Sequence, residues 1–526
     1  MNFNNFFKFL DELRYDSTIF ILGIDNYLES LSSIITDKNK VFIFEVDEDV
    51  YNDYIDKINT DNIKLSLFSE ENINNILSEN IKTRNFLNIF ANHLEEYESK
   101  YPVQTKLFYG SIDYYYYKAQ VFVSTFKTFK ELYFKNFISN VNHIYTSTCF
   151  DNLLDYYKNI PALIISAGPS LDENMKTLIK YKNRLKNFLI ICGNRTLKPL
   201  VEADIIPDFV VSVDPQELTF NMIKDYNYLN IPLIFFEHSN SKLVDNYKGP
   251  KIFSTMGSFC NIKGLKNMLL CFSGGSVAHP MTHIACCLGC TDVIFLGQDF
   301  AYKDNKPHSD CSTFDSKENT RTEKIGSLKI KDVFGKDIYT DNLLYIYKLA
   351  MELFIEKVKG DFNFINSSKG AHIIGSIYKP LEKVLQNHNY NLEKPNFNDV
   401  EDTIKPTIEL EKYILGLRGM LEQYIGKFTI HKKILIEITK GKHSIAEGTT
   451  YFYKMTDDLN NFLNSNDTIV FRGYIEEFLF EVKERYFKVL VKDYPVLSKN
   501  LMYQSSIFKN YIDDLITLLI EIHSEI

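Results

Sequence analysis

Small and polar residues gather at the ends of apolar runs in a way that suits ligand chemistry. The run PALII is followed by Ser166-Ala167-Gly168-Pro169-Ser170 and then by SLDENMKTLIKYKNRL, which reads as a helix. Gly168 lets backbone approach a ligand closely or adopts a positive φ. Ser170 can cap the helix, with Glu173 completing an S-x-x-E capping box. Other runs end in Cys192-Gly193-Asn194-Arg195, in Asp214-Pro215-Gln216 and in Gly297-Gln298-Asp299, while Ser273-Gly274-Gly275-Ser276 opens another helix. Helix N-termini attract anions through free N–H groups and the helix dipole. The termini after Ser170 and after Gly275 could therefore share one phosphate-bearing ligand, with Asp172 and Glu173 turning the first of them towards sugar or ribose hydroxyls. For the Gly-Pro-Ser turn alone, plain capping is an equal alternative; with SGGS added, a ligand is favoured.

SGGS lacks the spacing and the Lys of G-x-x-x-x-G-K-[ST], so ATP held in the Walker manner is not expected. Pro280 falls in the first turn of the following helix, where it costs least. His279 and His283 lie one helical turn apart; His279, nearer the SGGS turn, is placed to touch ligand, and His283 is assigned to the interior. His308, in the polar loop AYKDNKPHSD, could take a proton near neutral pH, or be a solvated loop side chain. Asp214 lacks a second acid two residues on, so it reads as a ribose contact or a structural residue rather than a metal ligand. HPMTHIACCLGC holds Cys286, Cys287 and Cys290 beside His283, but it lacks the Glu of H-E-x-x-H and a second Cys pair. The preferred reading is a buried helix using Cys as small apolar side chains.

These residues need a frame. Between 160 and 300 the strand-like runs PALIIS, FLIICG, FVVSVD, PLIFFE, KIFST and VIFLGQD alternate with helical patterns. Near-continuous apolar runs imply strands buried on both faces, as in a doubly wound sheet, and ligands then sit beyond the carboxyl ends of the strands. Upstream, STIFILGID, KVFIFEVDE and IKLSLF alternate with two helical stretches, a small βαβαβ unit. Its first turn carries only Gly23, and Glu45 ends its second strand where a ribose-binding acid often sits; a scaffold without a working nucleotide site is the favoured reading. Residues 70–150 look mostly helical and aromatic, 303–330 reads as a polar loop, and 409–526 shows 3.6-residue periodicity. The expected domains are 1–150, 151–395 and 396–526. The expected fold class is α/β: a central, mostly parallel, doubly wound sheet, with a small N-terminal βαβ domain and a C-terminal α-helical bundle.

At 526 residues the chain exceeds one hydrophobic core. Its net charge of −9, with no long Lys/Arg block, argues against a broad nucleic-acid surface. The N-terminal stretch has acids inside its apolar run and no apolar run reaches the roughly 18–20 residues of a spanning helix, so a cytoplasmic protein without membrane insertion is expected. All eight cysteines lie between Cys149 and Cys311 and are expected as free thiols.

With IISAGPSLDEN, GNRTLKPLVEADIIPDFVVSVDPQ, GGSVAHPMTHIACCLGCTDVIFLGQDFAY and FINSSKGAHIIGS together, the chain resembles the motility-associated-factor glycosyltransferases, which modify bacterial flagellin. The resemblance covers about 160 to 380; the two ends agree in kind only. The central domain of that family is similar to small bacterial sialyltransferases, a variant of the GT-A type, whose Gly-Pro-Ser, Cys-Asn and Ser-Gly turns and strand-ending Asp match Gly168-Pro169-Ser170, Asn194, Ser273-Gly274 and Asp299 here. It implies transfer of a nonulosonic acid, of the pseudaminic or legionaminic type, from its CMP donor to Ser or Thr of flagellin, with no cofactor or metal required. The implied site comprises those residues with Asp214, Gly275, Ser276, His279 and Gln298 around the donor, and Asp299 and His308 at the chemistry. The base of the sialyltransferases is also a His downstream of this strand, although its local motif is absent here. The same sequence group has been likened to hydroxymethyl-dihydropterin pyrophosphokinases, which would need ATP and Mg²⁺. A non-catalytic flagellin-binding protein is a third reading, and the oligomeric state, a homo-oligomer included, is left open.

Overall fold

The computed structural model describes residues 12–58, 60–256, 268–312, 328–387, 392–405 and 410–526. Cys260 and part of the 303–330 segment lie outside them. The chain forms two compact units, Met1–Lys130 with Ile414–Ile526, and Glu131–Tyr413. Among the described residues no helix is long and apolar enough to cross a membrane.

The unit made from the two ends of the chain holds a four-stranded parallel sheet: β1 (Thr18–Leu22), β2 (Lys40–Glu45), β3 (Ile63–Leu67) and β4 (Ile89–His93), in the order β3-β2-β1-β4. The first three strands and the helices Tyr27–Ile34 and Glu48–Ile55 fall where the apolar alternation put them. β4 was missed, since IFANH lies in a stretch read as helical. All five of its residues are only half-buried, so its apolar signal is weak. The long helices of this unit's C-terminal part, Leu410–Thr439, Ile445–Leu463, Arg472–Tyr486 and Leu501–Glu525, match the 3.6-residue pattern. Ser444 and Glu447 close a capping box on the second. Arg14 pairs with Glu484 at 2.7 Å, and Tyr15 stacks on Tyr494, so the N-terminal segment and the C-terminal helices form one body.

The other unit is built on a nine-stranded sheet. Its members are β5 (Thr148–Cys149), β6 (Ala162–Ile165), β7 (Leu189–Gly193), β8 (Phe209–Ser212), β9 (Leu233–Phe235), β10 (Lys251–Phe253), β11 (Asp292–Leu296), β14 (Asn363–Asn366) and β15 (Ile377–Tyr378). Their order is β15-β14-β11-β6-β7-β8-β9-β10-β5, with every pairing parallel. β6, β7 and β8 are buried along their whole length, as the apolar runs require of strands covered on both faces. Burying each such Ile, Val or Leu contributes about 1.5–3 kcal/mol, which fixes the strands as a rigid platform. The chain winds outwards from β6 through β7 to β10, then returns to place β11 on the other side of β6. The switch point is therefore between β6 and β11. Strands β12 (Leu328–Lys331) and β13 (Asp337–Thr340) make a separate antiparallel hairpin, so the end of the 303–330 segment, read as a polar loop, is a strand. This α/β architecture is the fold class expected from the sequence.

Candidate functional site

β11, β6, β7, β8 and β9 lie side by side and parallel, so the turns that follow them share one edge. Those turns divide into a closed half and an open half.

The closed half sits at the switch point. The Asp299 carboxylate accepts from the Ser170 N–H at 2.9 Å and from the Ser170 hydroxyl. Ser170 Oγ in turn accepts from the Lys369 N–H at 2.8 Å. A Cβ at Gly168 would overlap Asp299 and Gly297, and one at Gly370 would overlap the Asp299 backbone. Gln298 accepts from Ser166 Oγ at 2.7 Å. Burial pushes the Asp299 carboxyl up to about 6, against the pull of its Ser170 bonds. Several expectations are corrected here. Gly168 makes room for the protein's own Asp299 and Gly297. Ser170 makes no capping bond, because its hydroxyl is turned to Asp299. The Asp299 carboxylate stands at the N-terminus of helix Leu171–Lys180, bonded to the Ser170 N–H, where a ligand anion was expected. Asp172 and Glu173 are also committed: Asp172 accepts from the N–H groups of Asp310 and Cys311 at 3.1 and 3.0 Å, and Glu173 pairs with Lys303 and Lys369. Pro169 completes this locked turn.

The open half lies at β7 to β9. Asn194 is the first residue of helix Asn194–Glu202, which the sequence reading missed because Pro199 interrupts its pattern. Its side chain is 7% exposed; Nδ2 donates to Ser212 Oγ at 3.0 Å, and Oδ1 has no hydrogen-bond partner among the described residues. A buried acceptor left unpaired costs about 1–3 kcal/mol, so the position calls for a donor from outside the fold. Gly193 faces Val277, whose Cγ1 would stand 3.3 Å from a Cβ there, which brings the Ser273–Ser276 turn up to Asn194. Ser273 and Gly275 are exposed, as is Asp214 at the end of β8. Gly275 has φ +94°, and a Cβ would meet the Tyr347 ring. Burial, followed by the charges of Asp214 and Asp341, pushes the Tyr347 phenol up to about 12.

The two histidines exchange the places expected of them. His279 is fully buried, with Nδ1 at Ser276 and Nε2 at the Tyr347 carbonyl, 2.9 Å away, so neither nitrogen faces a ligand. His283 is the more exposed. Periodicity puts both on one helix face but does not say what that face meets. Cys286 and Cys290 belong to the hydrophobic core, and burial pushes both thiols well up. Among the described residues no group of three or more His, Cys, Asp or Glu side chains could hold a metal ion. His308 is half-buried, in a segment anchored to the closed half by the Ser309 N–H, which donates to the Ala167 carbonyl at 2.9 Å.

A sixth turn on this edge went unremarked in the sequence. After β9 come Glu237, His238, Ser239 and Asn240. Glu237 is 1% exposed, accepts from Thr255 Oγ1 and from the Met256 N–H, and burial pushes its carboxyl up to about 7. The His238 ring packs on Tyr133 with centroids 4.6 Å apart, and burial pushes its imidazole down to about 3. Asn136 donates to the carbonyls of Pro215 and His238, and Asn140 to those of Glu237 and Ser239, so one helix fixes the turns after β8 and β9. The rule that selected the other turns, a polar residue ending an apolar run, applies equally to PLIFFE-HSN. A cavity of about 670 Å³ opens at helices Leu171–Lys180 and Asn194–Glu202, lined by Met175, Ile179, Lys198, Glu202 and Cys311 among others. It contains none of the residues expected at the site.

Comparison with known proteins adds to this geometry. A family model described as "6-hydroxymethylpterin diphosphokinase MptE-like" matches residues 135–305. A solved structure of MAf glycosyltransferase from Magnetospirillum magneticum AMB-1 is similar over 97% of this chain and 79% of that one, with a TM-score of 0.56 and 12% identity. No curated protein matches the sequence. The resemblance drawn from the motifs is thus met by a likeness in fold.

Proposed function

We propose that the chain is a glycosyltransferase that moves a nonulosonic acid from its CMP donor to Ser or Thr hydroxyls of flagellin. The observation that carries this reading is the open half of the edge. Helices Asn194–Glu202 and Ala278–Cys287 both begin there, neither has an acid in its first turn, and Asn194, the first residue of one of them, keeps an unpaired Oδ1. Such termini suit phosphate or a sugar carboxylate, and Asn194 suits a ribose or sugar hydroxyl. The likeness in fold to a MAf glycosyltransferase supports the same class.

In this reading the bond from the anomeric carbon to the phosphate oxygen breaks, its electron pair leaves with CMP, and the acceptor oxygen bonds to the same carbon. The backbone N–H groups of Ser273, Gly274 and Gly275 hold the donor's negative charge, and positioning supplies most of the rate. His308 takes the acceptor's proton. Asp299 serves by locking the Gly168–Ser170 turn. The reaction belongs in the cytoplasm, before export of the acceptor.

The test is calorimetric titration with CMP. The double variant Asn194→Ala with Ser276→Ala should bind it at least about tenfold more weakly, in keeping with two lost hydrogen bonds, while keeping the fold. Undiminished affinity would move the site elsewhere. A second reading, a diphosphokinase, is favoured by the description of the family model over residues 135–305. Incubation with flagellin and CMP-sugar, or with a pterin and ATP, separates the two by which nucleotide is consumed; consumption of neither leaves a binding protein.

A further inference from the structure

The Ser273–Ser276 turn has few contacts of its own that could hold it in shape. Two of its residues are glycines, and Ser273 and Gly275 are exposed. The backbone on either side of it is gripped instead by the helix that follows. Before the turn, the Phe272 N–H donates to His283 Nδ1 at 2.9 Å. Within it, the Ser276 N–H lies 3.2 Å from His279 Nδ1, while His279 Nε2 lies 2.9 Å from the Tyr347 carbonyl. Nδ1 also lies 3.0 Å from the Ser276 carbonyl, so the ring meets the Ser276 backbone through Nδ1 and the Tyr347 carbonyl through Nε2. A Cβ at Gly274 would overlap the His279 ring, so the glycine is needed for that ring to lie beneath the turn.

We infer that His279 and His283 act together as positioning residues for the Ser273–Ser276 turn, His283 by presenting an unprotonated Nδ1 to the Phe272 N–H and His279 by bonding the Ser276 backbone through its Nδ1. This gives H-P-M-T-H a purpose other than metal binding or proton transfer. The spacing puts both rings on one helix face, and the turn folds back along that face. The inference rests on the reading of the turn as part of the donor site only for its consequence in binding.

The surroundings keep both rings neutral. His279 is in the first turn of its helix, where the dipole disfavours a cation, and burial among the rings of Phe272, Phe300 and Tyr347 lowers it from its ordinary value. Burial, with the Lys357 charge second, brings His283 down to about 4, and the Phe354 ring stands edge-on to it. A His lowered in the folded state contributes stability that is present above its ordinary value of 6.5 and is lost as pH falls towards 4.

Amide hydrogen exchange of the full chain at pH 7.5 tests the inference without any ligand. In His283→Ala the Phe272 N–H should exchange at least about fivefold faster than in the wild type, the worth of one hydrogen bond. In His283→Asn, whose Oδ1 stands near the place of Nδ1, it should stay within about twofold, and the stability lost by the wild type between pH 6.5 and 4 should shrink. CMP affinity should follow the same order, about fivefold weaker for the Ala variant and restored in the Asn variant. Wild-type exchange in His283→Ala, or no recovery in a folded His283→Asn, overturns the brace. If wild-type protein does not bind CMP, the donor reading fails, and the exchange result still decides whether the histidines hold the turn.

Discussion

The N-terminal sheet and the nine-stranded sheet both run parallel and both carry small residues beyond their strands, yet their carboxyl edges are finished differently. In the N-terminal sheet a Cβ at Gly23, φ +91°, would stand 2.8 Å from Leu94 and Tyr97, the residues that follow β4. Glu45 is fully buried and accepts from Ile24 N–H at 3.0 Å, Asp47 N–H at 2.8 Å and Tyr97 Oη at 2.6 Å. The acid that could have met a ribose is saturated by the protein, and the crevice beside it is filled by a tyrosine. The switch point of the larger sheet is closed by the same device, Asp299 standing in for Glu45 and the Ser170 hydroxyl for that of Tyr97. At Asn194, beyond β7, an edge residue keeps an unpaired acceptor, and among the described residues Ser254 Oγ after β10 and Asn366 Nδ2 at the end of β14 are unpaired as well. Glycines and acids at strand ends therefore do not identify a ligand site. Whether a strand-end residue's hydrogen bonds are already made narrows the choice.

The strongest test of this contrast is in the closed half. Gly370→Ala would drive a methyl group into the backbone and Cβ of Asp299, which are held from the other side by Ser170. Overpacking of this kind costs about 1–3 kcal/mol, and here the upper end is expected because the neighbour is main chain. Denaturant titration gives the number; a loss below about 1 kcal/mol would show that the lock yields easily. A somewhat smaller loss is expected for Glu45→Gln in the N-terminal sheet. The amide has one acceptor oxygen where the carboxylate has two, so its NH₂ must confront at least one donor, at a cost of about 2 kcal/mol. An unchanged midpoint would mean that Glu45 is hydrated and that this edge is not closed after all.

Much of the frame was legible in the sequence because strands buried on both faces leave unbroken apolar runs. PALII and FLIICG became β6 and β7 almost residue for residue, and the VIFL of VIFLGQD became most of β11. The half-exposed β4 left no such mark. What the edge does was less legible, for a topological reason. Asp299 and Ser170 are 129 residues apart, and they meet only because β11 returns to pair with β6. No local pattern contains that adjacency, so a capping motif and a strand-ending acid looked like two features when they are one. The turn after β9, Glu237-His238-Ser239-Asn240, meets the rule that selected the others, and its shape is set from a distance by Asn136 and Asn140, about 100 residues earlier in the chain. The histidines were placed on the correct face and given each other's exposure, since periodicity orders residues around a helix without naming what each side meets.

The smallest change in stability is expected at Asn194, and it is the one that separates an open edge from a closed one. Replacing Asn194 by Ala removes its bond to Ser212, worth about 1 kcal/mol, and also removes the orphaned Oδ1, whose burial costs about 1–3 kcal/mol. The two effects oppose each other, so the variant should lie within about 1 kcal/mol of the wild type and can be the more stable. A residue retained against its own contribution to stability is one kept for a ligand, and denaturant titration of the single variant reads this directly. A loss above about 2 kcal/mol would mean that Oδ1 is satisfied within the fold, as Glu45 and Asp299 are. In that case the β7–β9 edge would be a third example of closure, and the donor would have to bind away from the sheet edge.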